Sequence, residues 1–523
     1  MLYTAVGGLK ATFLTDFLHT LVALILIIYF TLAILTHDAV GGLSGLYEKV
    51  VATAADNYIS GNYKGSLLTM KSKDAIIWGL DLKFGNLALV VMDTAFWQKS
   101  FATEVRATVP GYNLAALAIF GIPWGLGTVI GLTARAIHNT PIFPTYPGDL
   151  TTADVSAGLV MPYTIKALIG DQGVVAFLVL VFMALTSTVS SSMIAVSSIL
   201  SFDVYKTYLN PKATDKKVVK VSHLSVLIHG VFMSGIAIAL NYGGANMTWL
   251  GYFRPVVSCP GIIPLALTLG WSRQTRLAAI LSPILGFLTG LAIWLATAYH
   301  SSGYVSIDTT GQPLPALYGA IGSFFSPALY SVAISLWRPY KFDWREFLRF
   351  ELADEAILHR EDVAEVSAPS SSDDEKKVQD DAVPADDADT AKSHGTPAEA
   401  DGAQDKARTS GRVKNTQGKV SSPSVLSLDD VQHPFDEKTL QSLRRWLRVA
   451  WIFWVVIVLI TFVAWPMPLY RDYIFTKSFF SGWTTVAIFW QFFAFSAVVV
   501  FPVWDGRHAI AKGIRGVLRS FRQ

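Results

Sequence analysis

The chain has 523 residues, 52% of them hydrophobic and only 15% charged, with a mean hydropathy of +0.41. Soluble domains carry about 25% charged residues, so most of this surface is built to face something other than water. A net charge of +3 is too small to argue for nucleic acid, and a single cysteine, Cys259, excludes an internal disulfide framework and a CxxC metal or redox site.

The first ten residues show no charged region, apolar run and small-residue cleavage site of the secretory kind. A helix that crosses a membrane needs about 20 mostly apolar residues. About ten segments qualify, at roughly 13–36, 84–101, 112–134, 172–200, 221–241, 247–271, 276–299, 314–337, 448–469 and 482–503. Pro123 interrupts the third, and Pro255, Pro260 and Pro264 interrupt the sixth. Broken helices are common where transporters bind substrate, and a structural kink is the plain alternative.

Basic residues in short loops set orientation. Lys206, Lys212, Lys216, Lys217 and Lys220 follow the fourth segment, Arg273 and Arg276 flank the start of the seventh, and Arg338, Lys341, Arg345 and Arg349 follow the eighth. Alternation then puts both chain ends and residues 338–447 in the cytoplasm, with the long loop 37–83 outside. Asn246-Met-Thr248 is a glycosylation sequon on the expected outer side, but it abuts a helix and is expected to stay unmodified. Residues 355–435 are rich in Asp, Glu, Lys, Ser, Ala and Pro and nearly free of aromatics, so they cannot offset their ordering entropy and are expected to be disordered. The expected organisation is a membrane domain of about eight helices at 1–350, a cytoplasmic linker at 351–440, two further helices at 441–505 and a basic tail at 506–523. Arg444, Arg445 and Arg448 are placed to meet anionic lipid.

The fourth segment carries the chemistry. Ala184, Ser187, Thr188, Ser191, Ser192 and Ala195 recur at helical spacing and form one small, hydroxyl-bearing face. Hydroxyls of this kind are ordinary glue between membrane helices. They also suit a hard cation, since neutral oxygens ligate one without burying an anion. Spacing alone leaves both readings open.

Ser197-Ser-Ile-Leu-Ser-Phe-Asp-Val-Tyr-Lys206 resembles the end of the cation-binding helix of the sodium:solute symporter superfamily, and Tyr3-Thr-Ala-Val-Gly-Gly-Leu-Lys-Ala-Thr-Phe-Leu-Thr-Asp16 resembles the stretch that leads into its fifth core helix. Phe84-Gly-Asn, Met92-Asp-Thr-Ala-Phe-Trp-Gln-Lys99, Asp154-Val-Ser-Ala-Gly-Leu-Val-Met-Pro162 and Phe202-Asp-Val-Tyr-Lys206 resemble a narrower group, the fungal and plant urea active transporters. The resemblance implies an all-α polytopic membrane protein with a partial leucine-transporter-like inverted-repeat fold. Segments one to six would be core helices five to ten, with four helices outside the core. It implies secondary transport of urea, a polyamine or a related small solute across the plasma membrane, coupled to Na+ or H+, with no other cofactor. The family's second sodium site, a carbonyl and two hydroxyls, falls on Ala184, Ser187 and Thr188.

Two features depart from that family. Core helices one to four are not in the sequence, so an N-terminally truncated fragment, inactive alone, is one expectation. A non-transporting sensor is another. The sixth segment also carries Arg254 where apolar residues are expected; it either snorkels to the outer interface or lines the vestibule. For substrate, Asp93, Trp97 and Gln98 in the second segment offer a carboxylate, an indole face and an amide to a planar diamide. The alternative there is a Trp97 interfacial belt and an Asp93–Lys99 pair. Asp16 reads as structural. No histidine cluster, phosphate loop or paired nucleophile and base supports an enzyme, and the expected partners are a small solute and lipid.

Overall fold

The computed structural model describes residues 2–344, 435–508 and 510–511. Among them the chain is helical, with one isolated bridge between Asn62 and Ser72. Nine helices are long and apolar enough to cross a membrane, and a bent pair, Lys73–Val91 with Thr94–Phe101, makes up to ten. The expected linker at 351–440 and tail at 506–523 lie outside the described residues, apart from 435–440, 506–508 and 510–511.

Helix α1 (Leu2–Leu35) turns sharply at Gly8, whose φ of 54° is open only to glycine at little cost. Thr12, Thr15 and Thr31 return their hydroxyls to carbonyls one turn back, which hides polar groups in an apolar span. A short α2 (Gly42–Ala52) crosses the loop after it. Helix α3 (Lys73–Val91) begins eleven residues before the expected start of segment two, capped by Ser72, which accepts from the Ala75 amide. Asp74, Asp81 and Lys83 hide this stretch from a search for apolar runs.

The segment is also broken. Its second part, α4 (Thr94–Phe101), departs by 45° after Met92 and Asp93. Asp93 supplies the reason: its carboxylate accepts from the Ala95 amide at 2.8 Å, so it starts a new helix rather than continuing the old one.

Helix α5 (Val105–Ile137) runs through Pro110 and Pro123, so the interruption expected at Pro123 does not occur. The neighbouring α16 (Lys477–Phe495) packs along this stretch, with Trp490 donating to the Leu117 carbonyl at 2.7 Å. Such support keeps a proline-bearing membrane helix intact. The docking depends on Gly121 and Gly125, whose missing side chains leave room for Trp490 and Gln491. Gln491 reaches past them to Thr31 of α1.

After the short α6 (Thr152–Ser156) and α7 (Val160–Ile169) comes α8 (Asp171–Ser198), which continues to Leu209 in a widened turn. Helix α9 (Asp215–Tyr242) packs beside it. The sixth segment is interrupted at Pro260 alone, by a tight turn over Cys259–Gly261 between α10 (Met247–Ser258) and α11 (Ile262–Gly270); Pro255 and Pro264, expected to interrupt it too, lie inside those two helices. Cys259 is fully buried in that turn.

Helix α12 (Arg276–Ser302), a single turn α13 (Ile307–Thr310) and α14 (Pro313–Trp337) complete a hairpin. Gly286 and Gly290 face Pro327 and Ser323, while Gly319 and Gly322 face Trp294 and Ile293. Small residues bring the two backbones together where lipid offers no hydrophobic drive. Helix α15 (Glu437–Val458) starts at an Asp436 cap, so residues 437–440 are helix, not linker.

Candidate functional site

Three serines of the α8 hydroxyl face, Ser187, Ser191 and Ser192, are turned toward α1, α4 and α9. Ser187 donates to Asp16 of α1 at 2.6 Å. Lys99 of α4 donates to the other Asp16 oxygen at 2.5 Å and to Ser191 at 2.8 Å. The next residue, Ser192, lies 3.0 Å from Nε2 of His229 on α9. Thr188 returns its hydroxyl to the Ala184 carbonyl at 3.0 Å, and both residues are exposed among the described residues. Tyr3 of α1 donates to the Thr186 carbonyl. The two readings of this face therefore merge: the hydroxyls bridge helices, and what they bridge to is an ion pair.

Asp16 and Lys99 are about one-fifth and one-quarter exposed, Asp16 within a helix long enough to span a membrane and Lys99 in the short second half of the bent α3–α4 pair. Two ionised groups taken from water are tolerated only when paired and further hydrogen-bonded, and the two serines complete that shell. Sequence reading paired Lys99 with Asp93 as the plain alternative; the structure pairs it with Asp16, because Asp93 is engaged at the α4 cap. Asp16 and Lys99 carried one signal that would have found them: opposite charges in two apolar segments are expected to seek each other.

Of the three candidate cation ligands, the Ala184 carbonyl accepts from Thr188 and the Ser187 hydroxyl donates to Asp16, and each of these oxygens keeps a lone pair. The carboxylate that would favour sodium is neutralised by Lys99.

The other proposed residues sit on and around the broken segment. Asp93 occupies the break, and Trp97 donates to the Val91 carbonyl at 2.9 Å, folding its indole back across it. Gln98 is half-buried on the same helix. Arg254 of α10 points inward to α3: Nη2 donates to Asn86 at 3.1 Å, while Nε is buried without a protein acceptor. Gly85 makes the room, since a Cβ there would stand 3.0 Å from Nε. Asp81, one turn earlier, is fully buried, and neither carboxylate oxygen has a protein donor. Asn86 and Asp93 are seven residues apart, about 10 Å of helix axis. The structure thus gathers Asp93, Trp97 and Gln98 in one place and puts Arg254 in another, with Asp81 and Asn86, which sequence reading missed because it placed Asp81 in a loop.

A family model described as the sodium:solute symporter family matches residues 1–286. The urea active transporter of Saccharomyces cerevisiae is 33% identical over 99% of this chain and 69% of its own length. The probable urea active transporter 1 of Schizosaccharomyces pombe is 34% identical over 99% of this chain and 68% of its own. A urea-proton symporter of Oryza sativa subsp. japonica is 35% identical over 66% of this chain and 49% of its own. The chain thus spans about two thirds of the length of the two fungal relatives.

Proposed function

This chain belongs to the sodium:solute symporter family, and from that premise we propose that it serves secondary active uptake of urea across the plasma membrane, driven by a Na+ or H+ gradient. It is a multi-pass membrane protein with nine candidate spans among its described residues. The observation that supports the reading most is the broken second segment. It sets a carboxylate, an indole and an amide at a helix break beside α5 and α8, and broken helices are common where transporters bind substrate.

Urea is small, neutral and planar, with two amide-like donors and one carbonyl acceptor. In this reading the Asp93 carboxylate takes urea N–H groups, Trp97 covers its plane and Gln98 answers its carbonyl. Arg254 is proposed to act farther along the path, where it would meet solute on the outer side. The cation acts at the α8 face that carries Ala184, Ser187 and Thr188. Cation and solute binding favour one side-open state, and the bundle then rocks to the other. The role is a carrier's, not an enzyme's, with lipid as its surroundings.

Radiolabelled urea uptake in cells without their own urea carrier tests this. The expected result is saturable uptake that Asp93→Asn lowers at least ten-fold at equal surface expression. Absence of uptake by the chain at confirmed surface expression would sink the proposal.

A further inference from the structure

Asp81 takes no part in the proposed solute or cation contacts, yet it is fully buried, and neither of its oxygens has a donor among the described residues. A buried carboxylate without donors is costly, and so is an arginine inside a membrane span. The two costs meet at one place. Gly85 follows Asp81 by four residues, so both lie on the same face of α3. A Cβ at Gly85 would stand 3.0 Å from Nε of Arg254, which is itself buried without an acceptor. We propose that Asp81 is the buried counter-ion of Arg254 and keeps the α3–α10 junction electrically neutral, so that the solute path there rejects the small anions that a bare guanidinium would hold.

Arg254 is the charged group whose field acts on Asp81. Lys83, the cation nearest to Asp81 in sequence, points elsewhere, with its ammonium 4.8 Å from the centre of the Phe462 ring. Asn86 takes the Nη2 end of the guanidinium and is exposed, so the group reaches from a buried edge at Gly85 to an open end at Asn86. A guanidinium is flat and always charged, and its fork fits planar oxyanions. Unbalanced beside a solute path it would collect them, and urea, planar but uncharged, would have to displace them. Asp81 cancels that charge from the buried side without touching solute, which makes it a positioning residue. It also accounts for the direction of Arg254, which is long enough to snorkel outward but turns to α3 instead. A close contact between α3 and α10 needs Gly85 but no carboxylate, so the test must read charge and not only stability.

This role rests on the reading of Arg254 as a solute contact, but its first test does not require transport. The full chain, purified in lipid nanodiscs, is heated in sodium nitrate and in sodium gluconate of equal ionic strength. Nitrate is planar and close to urea in size, and a ligand that binds only the folded state raises its melting temperature. The parent and Asp81→Glu are expected to show no saturable rise in nitrate. Asp81→Asn, which keeps the shape and removes the charge, is expected to gain one, and Asp81→Asn/Arg254→Gln to lose it again. In the opposite sense, Arg254→Ala leaves Asp81 beside a vacated guanidinium position. Free guanidinium far below denaturing concentrations is expected to stabilise that variant but not Asp81→Asn/Arg254→Ala. The pairing is overturned by a nitrate response in the parent, by an Asp81→Asn protein that folds and ignores nitrate, or by an Arg254→Ala protein that guanidinium neither stabilises nor recovers. If Asp81→Asn folds in neither salt, the guanidinium result decides. Urea uptake separates the two readings. Nitrate is expected to inhibit uptake by Asp81→Asn at a concentration about ten-fold lower than for the parent. Equal inhibition refutes the role of Asp81 and leaves transport standing. Absence of uptake by the parent in any salt refutes transport, while the melting comparisons still decide the pair.

Discussion

Ser187 and Thr188 are neighbours in sequence with the same chemistry, yet the structure gives them different work. Ser187 crosses to Asp16 of another helix, whereas Thr188 only returns a hydrogen bond to its own helix at Ala184. Ser187→Ala would leave a carboxylate oxygen in an apolar span without its donor, and leaving such a group unsatisfied costs about 1–3 kcal/mol. Thr188→Ala removes a hydroxyl whose loss exposes no buried partner, and is expected to stay within about 0.5 kcal/mol. Denaturant or thermal unfolding of the two variants side by side checks this ordering. Equal costs would mean that Asp16 does not depend on Ser187. The same comparison separates stability from ion dependence, because Thr188→Ala can then be assayed for transport without a folding defect. At this scale the sequence announced residue types but not partners. The Asp16–Lys99 contact joins positions 83 residues apart, and no local pattern encodes such a meeting.

Elements here are held by shape more than by polar contact. The long C-terminal helix α16 lies on α5 because Gly121 and Gly125 remove the side chains that would stand in the way. A Cβ at Gly121 would come within 2.2 Å of the Trp490 ring, which cannot yield, since its indole donates to Leu117 and packs edge-on against Phe120. Gly121→Val is therefore expected to displace α16, break the Gln491–Thr31 bond and lower stability by about 1–3 kcal/mol or more. Cross-linking between cysteines introduced at Leu117 and Trp490 reads the displacement, and undiminished cross-linking would contradict it. Spans as units were legible from hydropathy, and nine or ten of them stand near their expected places. Their interruptions were legible only in part. Proline marked the real break at Cys259–Gly261 but also a false one at Pro123. The break that matters for the proposed solute site is made by a capping aspartate, whose effect depends on whether an amide donor or another helix claims its carboxylate.

Across the whole molecule, the first loop and the residues that lead into α16 are tied by two exposed ion pairs, Glu48 with Lys477 and Lys71 with Asp472. The hydrogen bond and charge of Lys477 hold the Glu48 carboxyl below its ordinary value of 4.5. That contribution is present above pH 4.5 and is lost as pH falls through the lowered value. The Asp472 carboxylate holds Lys71 above its ordinary 10.5, so that contribution is present below pH 10.5 and is lost as pH rises through the raised value. Exposed pairs contribute little each. The expected outcome is thus a modest loosening of the 42–73 and 472–477 segments below pH 4.5 and above pH 10.5, with little change between. Limited proteolysis or hydrogen exchange across that range checks it, and loosening near neutrality would show that other groups tie the segments.

The sequence by itself determined that this chain lives in lipid, about how many times it can cross and which helix face is rich in hydroxyls, and its motifs carried the family resemblance. The first three follow from composition and local period, and each residue carries its share of them wherever the rest of the chain goes. Tertiary structure alone decided that Asp16, Lys99, Ser187 and Ser191 meet, that Arg254 turns inward to Asn86 beside a buried Asp81, and that Asp93 caps a helix instead of pairing with Lys99. Charge in an apolar medium must find a partner, but which partner depends on how the helices pack. That packing is set by small residues and aromatic rings far along the chain from the charges they bring together.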